Sequence, residues 1–248
     1  MTIFAKKNKL KLVIDIGNTL TKTAVFDGNQ ILYFNASKKI NIKLIENLLR
    51  DYSLRRAILC SVRDYPVILK DFLKHHLSFI ELDEKTAVPI KIKYSTVGTL
   101  GKDRLAAAVA ANNIFPGNNV LVINAGTCIT YDFINKKSEY IGGAISPGVE
   151  MRFKALNTFT DKLPLIKGKK NAPIIGNNTK DSILSGVVNG AIFEINGVID
   201  NYNKNFKELK VILSGGDMKY FDKKLKNSIF ALSNIVLHGL NIILDFNA

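Results

Sequence analysis

The chain has 248 residues, is 47% apolar and 23% charged, and carries a net charge of +14. That is the composition of an ordinary globular protein with room for one large domain or two small ones, and no uninterrupted apolar run reaches the roughly 20 residues of a bilayer span. The lysines are dispersed, with short clusters such as Lys38-Lys39 and "KGKK" at 167–170, and no platform of alternating aromatics and arginines accompanies them. The charge therefore suits a small anionic substrate better than a nucleic acid, and neither a nucleic-acid nor a membrane partner is expected. Two cysteines, Cys60 and Cys128, are too few for a disulfide framework and read as buried thiols of a reducing cytoplasm. His75 and His76 are adjacent on an expected helix, share no face, and read as a solvated edge rather than a metal site.

The opening "MTIFAKKNKLKLVIDIG" is basic and then apolar. Its apolar part is short, contains Asp15 and lacks a small-residue cleavage site, so it is not read as a signal peptide. Residues 10–16 and 21–26 read as two strands around Gly17-Asn18, a turn-forming pair in a hairpin setting. A third strand is expected over 30–36, and a helix over 39–55, where Ile42, Ile45, Leu48, Leu49 and Tyr52 recur at helical spacing. A buried strand follows over 56–62, a helix near 66–77 and a short strand over 78–82. "GTLGKDRLAAAVAANNIF" (98–115) reads as a loop and an alanine-rich helix, with Asp103 as N-cap or first-turn acid.

"PGNN" (116–119) punctuates the chain and sets an expected division into domains 1–116 and 117–248. Two more strands surround a glycine turn in "VLVINAGTCITYDFI", then a strand and Gly/Pro turn in "EYIGGAISPG", then a helix near 148–158. A long helix is expected over 177–204, with a small-residue stripe of Ser185, Gly186, Asn189 and Gly190. That stripe reads equally as close packing within the fold or as a helix–helix contact between subunits. "KVILSGGDMKY" is a strand, a double-glycine turn and a helix start, and a last strand and helix complete the chain.

"LVIDIGNTLTKTAVF" (12–26) and "LVINAGTCITYDF" (121–133) are the same phrase twice, with Asp15 falling on Asn124. Similar elements follow each copy, which points to a duplicated α/β fold with pseudo-twofold symmetry. In such a fold the two glycine hairpins face a nucleotide cleft, offering backbone N–H groups and threonine hydroxyls to phosphate oxygens. A carboxylate beside such a turn repels phosphate unless a cation intervenes, so Asp15 points to Mg²⁺.

The ordered set "DIGNTLTK" (15–22), "GKDR" (101–104), "NAGTCITYD" (124–132), "GGAISPG" (142–148) and "LSGGD" (213–217), with Tyr94 and Thr179, resembles type III pantothenate kinases over nearly the whole chain. These belong to the acetate and sugar kinase/Hsp70/actin superfamily. The resemblance implies a duplicated actin-like (ribonuclease H-like) fold with an ATP cleft between its halves. It implies transfer of the γ-phosphate of ATP to the primary hydroxyl of pantothenate, giving 4′-phosphopantothenate for coenzyme A synthesis. Asp103 matches the general base; Gly101, Lys102 and Arg104 match the pantothenate loop, with Tyr94 and Thr179 as further substrate contacts. Asp15, Ile16, Gly17, Asn18, Thr19, Leu20, Thr21 and Lys22 match the first phosphate-binding segment, and Thr127 the second. The family is dimeric and uses Mg²⁺ and a monovalent cation, K⁺ or NH₄⁺.

The chemistry is coherent on its own terms: phosphoryl transfer is mostly positioning and charge stabilisation, with an aspartate accepting the hydroxyl proton. The Arg104 guanidinium, next in sequence, is expected to keep Asp103 ionised. One position departs from the family: Asn124 stands where a monovalent-cation aspartate is usual, so weaker K⁺ binding is expected, with Asp132 either contributing or facing solvent. Loss of that charge also leaves open a binding or regulatory protein on the same fold, and a kinase for another small hydroxy acid is a third reading.

Overall fold

The computed structural model describes residues 10–221, 224–226 and 228–248; the basic stretch before Leu10, where the signal-peptide question arose, lies outside them. In chain order the elements begin with β1 (Leu10–Ile16), β2 (Thr21–Asp27), β3 (Gln30–Ser37), α1 (Ile42–Asp51), β4 (Leu54–Ser61), α2 (Val67–His76) and β5 (Ser78–Glu81). Then come β6 (Lys91–Ile92), α3 (Lys102–Ile114), β7 (Val120–Ala125), β8 (Cys128–Ile134), β9 (Glu139–Pro147) and α4 (Val149–Thr158). The last are α5 (Thr179–Leu184), α6 (Gly190–Asn205), β10 (Lys210–Ser214), α7 (Met218–Phe221), β11 (Phe230–Ala231) and α8 (Ile235–Phe246). These group into two units: one of the described residues up to Pro89 with Ser95–Ala110 and Val236–Ala248, the other of Ile90–Tyr94 and Ala111–Ile235.

The first unit is built on a sheet of order β3-β2-β1-β4-β5. β1 pairs antiparallel with β2 and parallel with β4, so it is covered on both edges. Leu12, Ile14 and Ile16 alternate onto one face and pack against Ile45 and Leu48 of α1 and Leu69 and Leu73 of α2. The helix expected over 39–55 is shorter because Asn41 caps it, its side-chain oxygen accepting from the Lys43 amide at 2.9 Å. On the other face Lys11 pairs with Asp245 of α8 at 2.5 Å, and Phe26 meets the His238 ring edge-on at 5.6 Å. The alanine run of α3 is buried all round, Ala106, Ala107, Ala108 and Ala110 each fully enclosed. Its lack of bulk lets α8 touch backbone: a Cβ on Gly239 would lie 1.8 Å from the Ala106 carbonyl oxygen.

The second unit repeats this plan. Read from β9, its sheet runs β9-β8-β7-β10-β11, the same 3-2-1-4-5 order, with β6 added beside β9. Its core joins Leu121, Ile123, Tyr131 and Leu213 of the sheet to Phe153 of α4, Leu184 of α5 and Ile195 of α6. The helix expected over 177–204 is interrupted by a π turn over Ser185–Asn189, which coincides with the small-residue stripe. There Ser185 Oγ donates to the Ile174 carbonyl at 2.7 Å and Asn189 Nδ2 to the Pro173 carbonyl at 2.8 Å, so the stripe holds its own chain. The whole 179–205 stretch is apolar and long enough to cross a bilayer by composition, but 56% of its most apolar window is buried, and it packs into this core.

Candidate functional site

In the first unit the candidate side chains include Asp15 at the carboxyl end of β1, the end of a parallel strand at which α/β sheets bind ligands. Asp15 is the penultimate residue of β1, opposite Lys22 on β2 and beside Cys60 on β4. It is 6% exposed, and its Oδ1 is buried without a hydrogen-bond partner. Burial drives its pKa from 3.8 to about 6, with Lys22 opposing and the charge of Asp103 adding. Burial first, then the charges of Asp15 and Asp103, hold the Cys60 thiol well above its ordinary range, so it stays protonated and inert. Gly17, Asn18, Thr19 and Leu20 form the loop between β1 and β2; Gly17 N–H donates to the Leu20 carbonyl, and the other three residues are exposed. Ile16 and Thr21 are each 1% exposed. The Thr21 hydroxyl accepts from Arg63 at 3.3 Å.

Asp103 stands in the first turn of α3. Its Oδ1 accepts from the Arg104 amide at 2.9 Å, while the Arg104 side chain is buried. A Cβ at Gly101 would come within 2.8 Å of that Oδ1, so glycine there is what lets the carboxylate fold back over the loop. Burial raises the Asp103 pKa, outweighing the Arg104 amide and guanidinium. Arg104 acts in the direction expected of it, favouring the ionised form of Asp103, but desolvation is the larger influence.

A cavity of ≈ 460 Å³ opens beside Lys102, lined also by Ser61, Arg63, Tyr65, Lys70 and Glu81. Tyr65 donates to Glu81 at 2.7 Å and Lys70 pairs with it at 2.5 Å. None of these lining residues except Lys102 was singled out from sequence, since "CSVRDYP" has no spacing that marks a site.

In the second unit two glycines, Gly148 and Gly215, bring backbone up to the turn after β7. Gly126 and Thr127 form the turn between β7 and β8, with Gly126 N–H donating to the Cys128 carbonyl at 2.9 Å. A Cβ on Gly148 would lie 2.1 Å from the Gly126 carbonyl oxygen, and one on Gly215 (φ +100°) 2.0 Å from that of Ala125. Thr127 is exposed on this turn. Asp217, in the "LSGGD" phrase but unassigned from sequence, donates its N–H to the Ala125 carbonyl at 3.0 Å. Its Oδ2 is buried without a partner, and burial raises its pKa to about 6.

Asn124 is half-buried and lies between Ser214 of β10 and Thr130 of β8. Asp132 does not face solvent: it is fully buried and accepts from Thr130 Oγ1 at 3.0 Å and Tyr140 OH at 2.8 Å. Tyr94 follows β6, half-buried, its ring 6.0 Å from that of Tyr140. Thr179 is exposed at the start of α5, whose N-cap Asn178 accepts from the Asp181 amide at 2.9 Å. No cluster of three metal-ligating side chains occurs among the described residues, so a cation here must complete its shell from ligand oxygens and water. The orphaned Asp15 oxygen fits that role: it is a desolvated acid short of one positive partner.

Comparison with known proteins agrees with the resemblance. The model of the type III pantothenate kinase family matches residues 11–201. A type III pantothenate kinase of Christiangramia forsetii is 48% identical over 240 residues, 96% of this chain and 99% of that one. Among solved structures, a Campylobacter jejuni protein assigned to the Baf family of transcriptional activators aligns with a TM-score of 0.60 at 22% identity, over 95% and 98% of the two chains. The inorganic polyphosphate/ATP-glucomannokinase of Arthrobacter sp. strain KM aligns with a TM-score of 0.51 at 14% identity, over 97% and 100%. These structural likenesses carry the fold alone, and it is the duplicated actin-like fold.

The raised Asp15 pKa has a consequence for stability. Because the folded value, about 6, lies above 3.8, the folded chain holds this proton more tightly, and stability falls as pH rises through that window. In cation-free protein at pH 7, Asp15→Asn should therefore stabilise the fold by about 3 kcal/mol, at about 1.4 kcal/mol per pH unit between 3.8 and about 6. Urea melts should show this gain shrinking to nothing below about pH 3; a variant less stable than wild type at pH 7 contradicts it.

Proposed function

The chain belongs to the type III pantothenate kinase family, and from that premise we propose how its residues divide the work. As a member it is an ATP-dependent kinase that phosphorylates pantothenate in coenzyme A biosynthesis. Asp103 is the base: it takes the proton of the primary hydroxyl while that oxygen attacks the γ-phosphorus and ADP leaves with the bridging oxygen. The single observation that carries this role is the Asp103 carboxylate, raised by burial and held over Gly101 at the head of α3.

Gly101, Lys102, Arg104, Tyr94 and Thr179 bind pantothenate in this reading. The loop from Asp15 to Lys22 and the turn at Thr127 bind ATP phosphates through backbone N–H groups and hydroxyls. Mg²⁺ held near Asp15, directly or through water, supplies charge neutralisation to the phosphates when bound. Asn124 offers a monovalent cation an amide oxygen without a charge. The sequence repeat divides the chain at 116/117 into its two copies. Exposed Ile174 and Ile175, just before Thr179, and exposed Phe193 on α6 support a homodimer. The unpaired thiols Cys60 and Cys128 support a cytoplasmic protein.

The test is ADP release from purified protein with ATP, Mg²⁺ and pantothenate. Asp103→Asn should lower kcat by about 100-fold or more while leaving ATP binding intact. Turnover that survives the substitution, or that needs another hydroxy acid in place of pantothenate, overturns the assignment. Under constant ionic strength the same assay across KCl should show shallow activation, and Asn124→Asp should steepen it. Equal activation curves for the two proteins would remove Asn124 from the cation site.

A further inference from the structure

The route by which the chain places Tyr94 runs through residues that no role above absorbs. Tyr94 leaves the two-residue strand β6, which pairs parallel with the outer edge of β9, Lys91 with Glu139 and Ile92 with Tyr140. The Lys93 amide donates to the Tyr140 carbonyl at 2.9 Å, fixing the backbone one residue before Tyr94. At that point β9 is irregular: Phe133 pairs with Gly142 but Ile134 with Tyr140, so Ile141 is the extra residue of a bulge. Gly142 takes φ +126°, and a Cβ there would lie 3.4 Å from the Tyr94 ring. Bulges near functional sites re-aim side chains, and this one sets the Gly142 backbone directly against the Tyr94 ring.

Behind the ring stands Tyr140, fully buried, with its hydroxyl donating to Asp132 at 2.8 Å. Asp132 is itself fully buried and also accepts from Thr130. Burying a carboxylate is costly, and an apolar pair would pack this face of the sheet as well. What the acid adds is direction, because a charge-assisted bond fixes the Tyr140 ring in one orientation.

We propose that Tyr140 and Asp132 are positioning residues for pantothenate binding, holding the Tyr94 ring through Tyr140 at the Gly142 bulge. The proposal rests on the reading of Tyr94 as a substrate contact. Preorganisation of this kind affects acceptor affinity while leaving the ATP side and the chemical step alone.

Steady-state kinetics on Tyr94→Ala, Tyr140→Phe and the double variant test it. Tyr140→Phe should raise KM for pantothenate by roughly fivefold, with KM for ATP and kcat within about twofold. In the Tyr94→Ala background it should add nothing. If Tyr94→Ala raises that KM and Tyr140→Phe does not, or if the two effects multiply, the positioning role is wrong and the Tyr94 reading stands. If Tyr94→Ala leaves KM for pantothenate unchanged, the Tyr94 reading itself fails, and the positioning role with it. Should Tyr140→Phe not fold, Asp132→Asn takes its place: it keeps an oxygen for the Tyr140 hydroxyl but removes the charge. It should raise the same KM by about two- to threefold, and an unchanged KM overturns the proposal.

Discussion

Two carboxylates, Asp15 and Asp103, are held out of water in one electrostatic neighbourhood, and the first unit is arranged around that constraint. Each raises the cost of ionising its surroundings, as the upward shifts of Asp15 and Cys60 record. Neither could be kept there by a flexible loop. Asp15 is fixed near the end of a strand paired on both edges, and Asp103 by the first turn of a helix whose alanine run lets α8 close to backbone contact. Their surroundings differ. Asp15 has an oxygen with no hydrogen-bond partner, whereas Asp103 accepts from the Arg104 amide; burial raises the proton affinity of both.

The second unit solves a related problem with backbone instead of charge. Gly148 and Gly215 sit so close to the Gly126 and Ala125 carbonyls that a side chain at either would collide with backbone. The result is a turn that exposes Thr127, with Asp217 and its unpartnered oxygen beside it. On another part of that sheet the strategy reverts to charge, where buried Asp132 orders Tyr140 and, through it, Tyr94.

Much of this is legible in sequence because the duplication leaves a periodic trace. The two Leu-Val-Ile phrases correctly mark the central strands β1 and β7, and the common 3-2-1-4-5 order follows from repeating the same elements. Three features left no such trace. β6 is two residues long, too short for period-two alternation, so the transfer of residues 90–94 to the second unit is invisible without contacts. The π turn sits inside a continuous helical pattern and shows only as small residues whose purpose could be read two ways. Asp132 reads from sequence as either a cation contact or a solvent-facing residue, because sequence does not show that the strand end is covered. Burial likewise dominates at Asp103, where sequence shows only the adjacent arginine, whose opposing influence is the smaller.

The central claim is that Asp15 is a buried acid awaiting a cation. Carboxyl-carbon NMR titration of aspartate-labelled protein, first without divalent metal and then with Mg²⁺ and ATP, addresses it directly. The account predicts an Asp15 carboxyl that titrates at about pH 6 in the bare protein and drops to or below the ordinary aspartate range once Mg²⁺ and ATP are bound. An Asp15 that titrates at an ordinary pKa without metal, or one whose pKa does not move when Mg²⁺ and ATP are added, would contradict it.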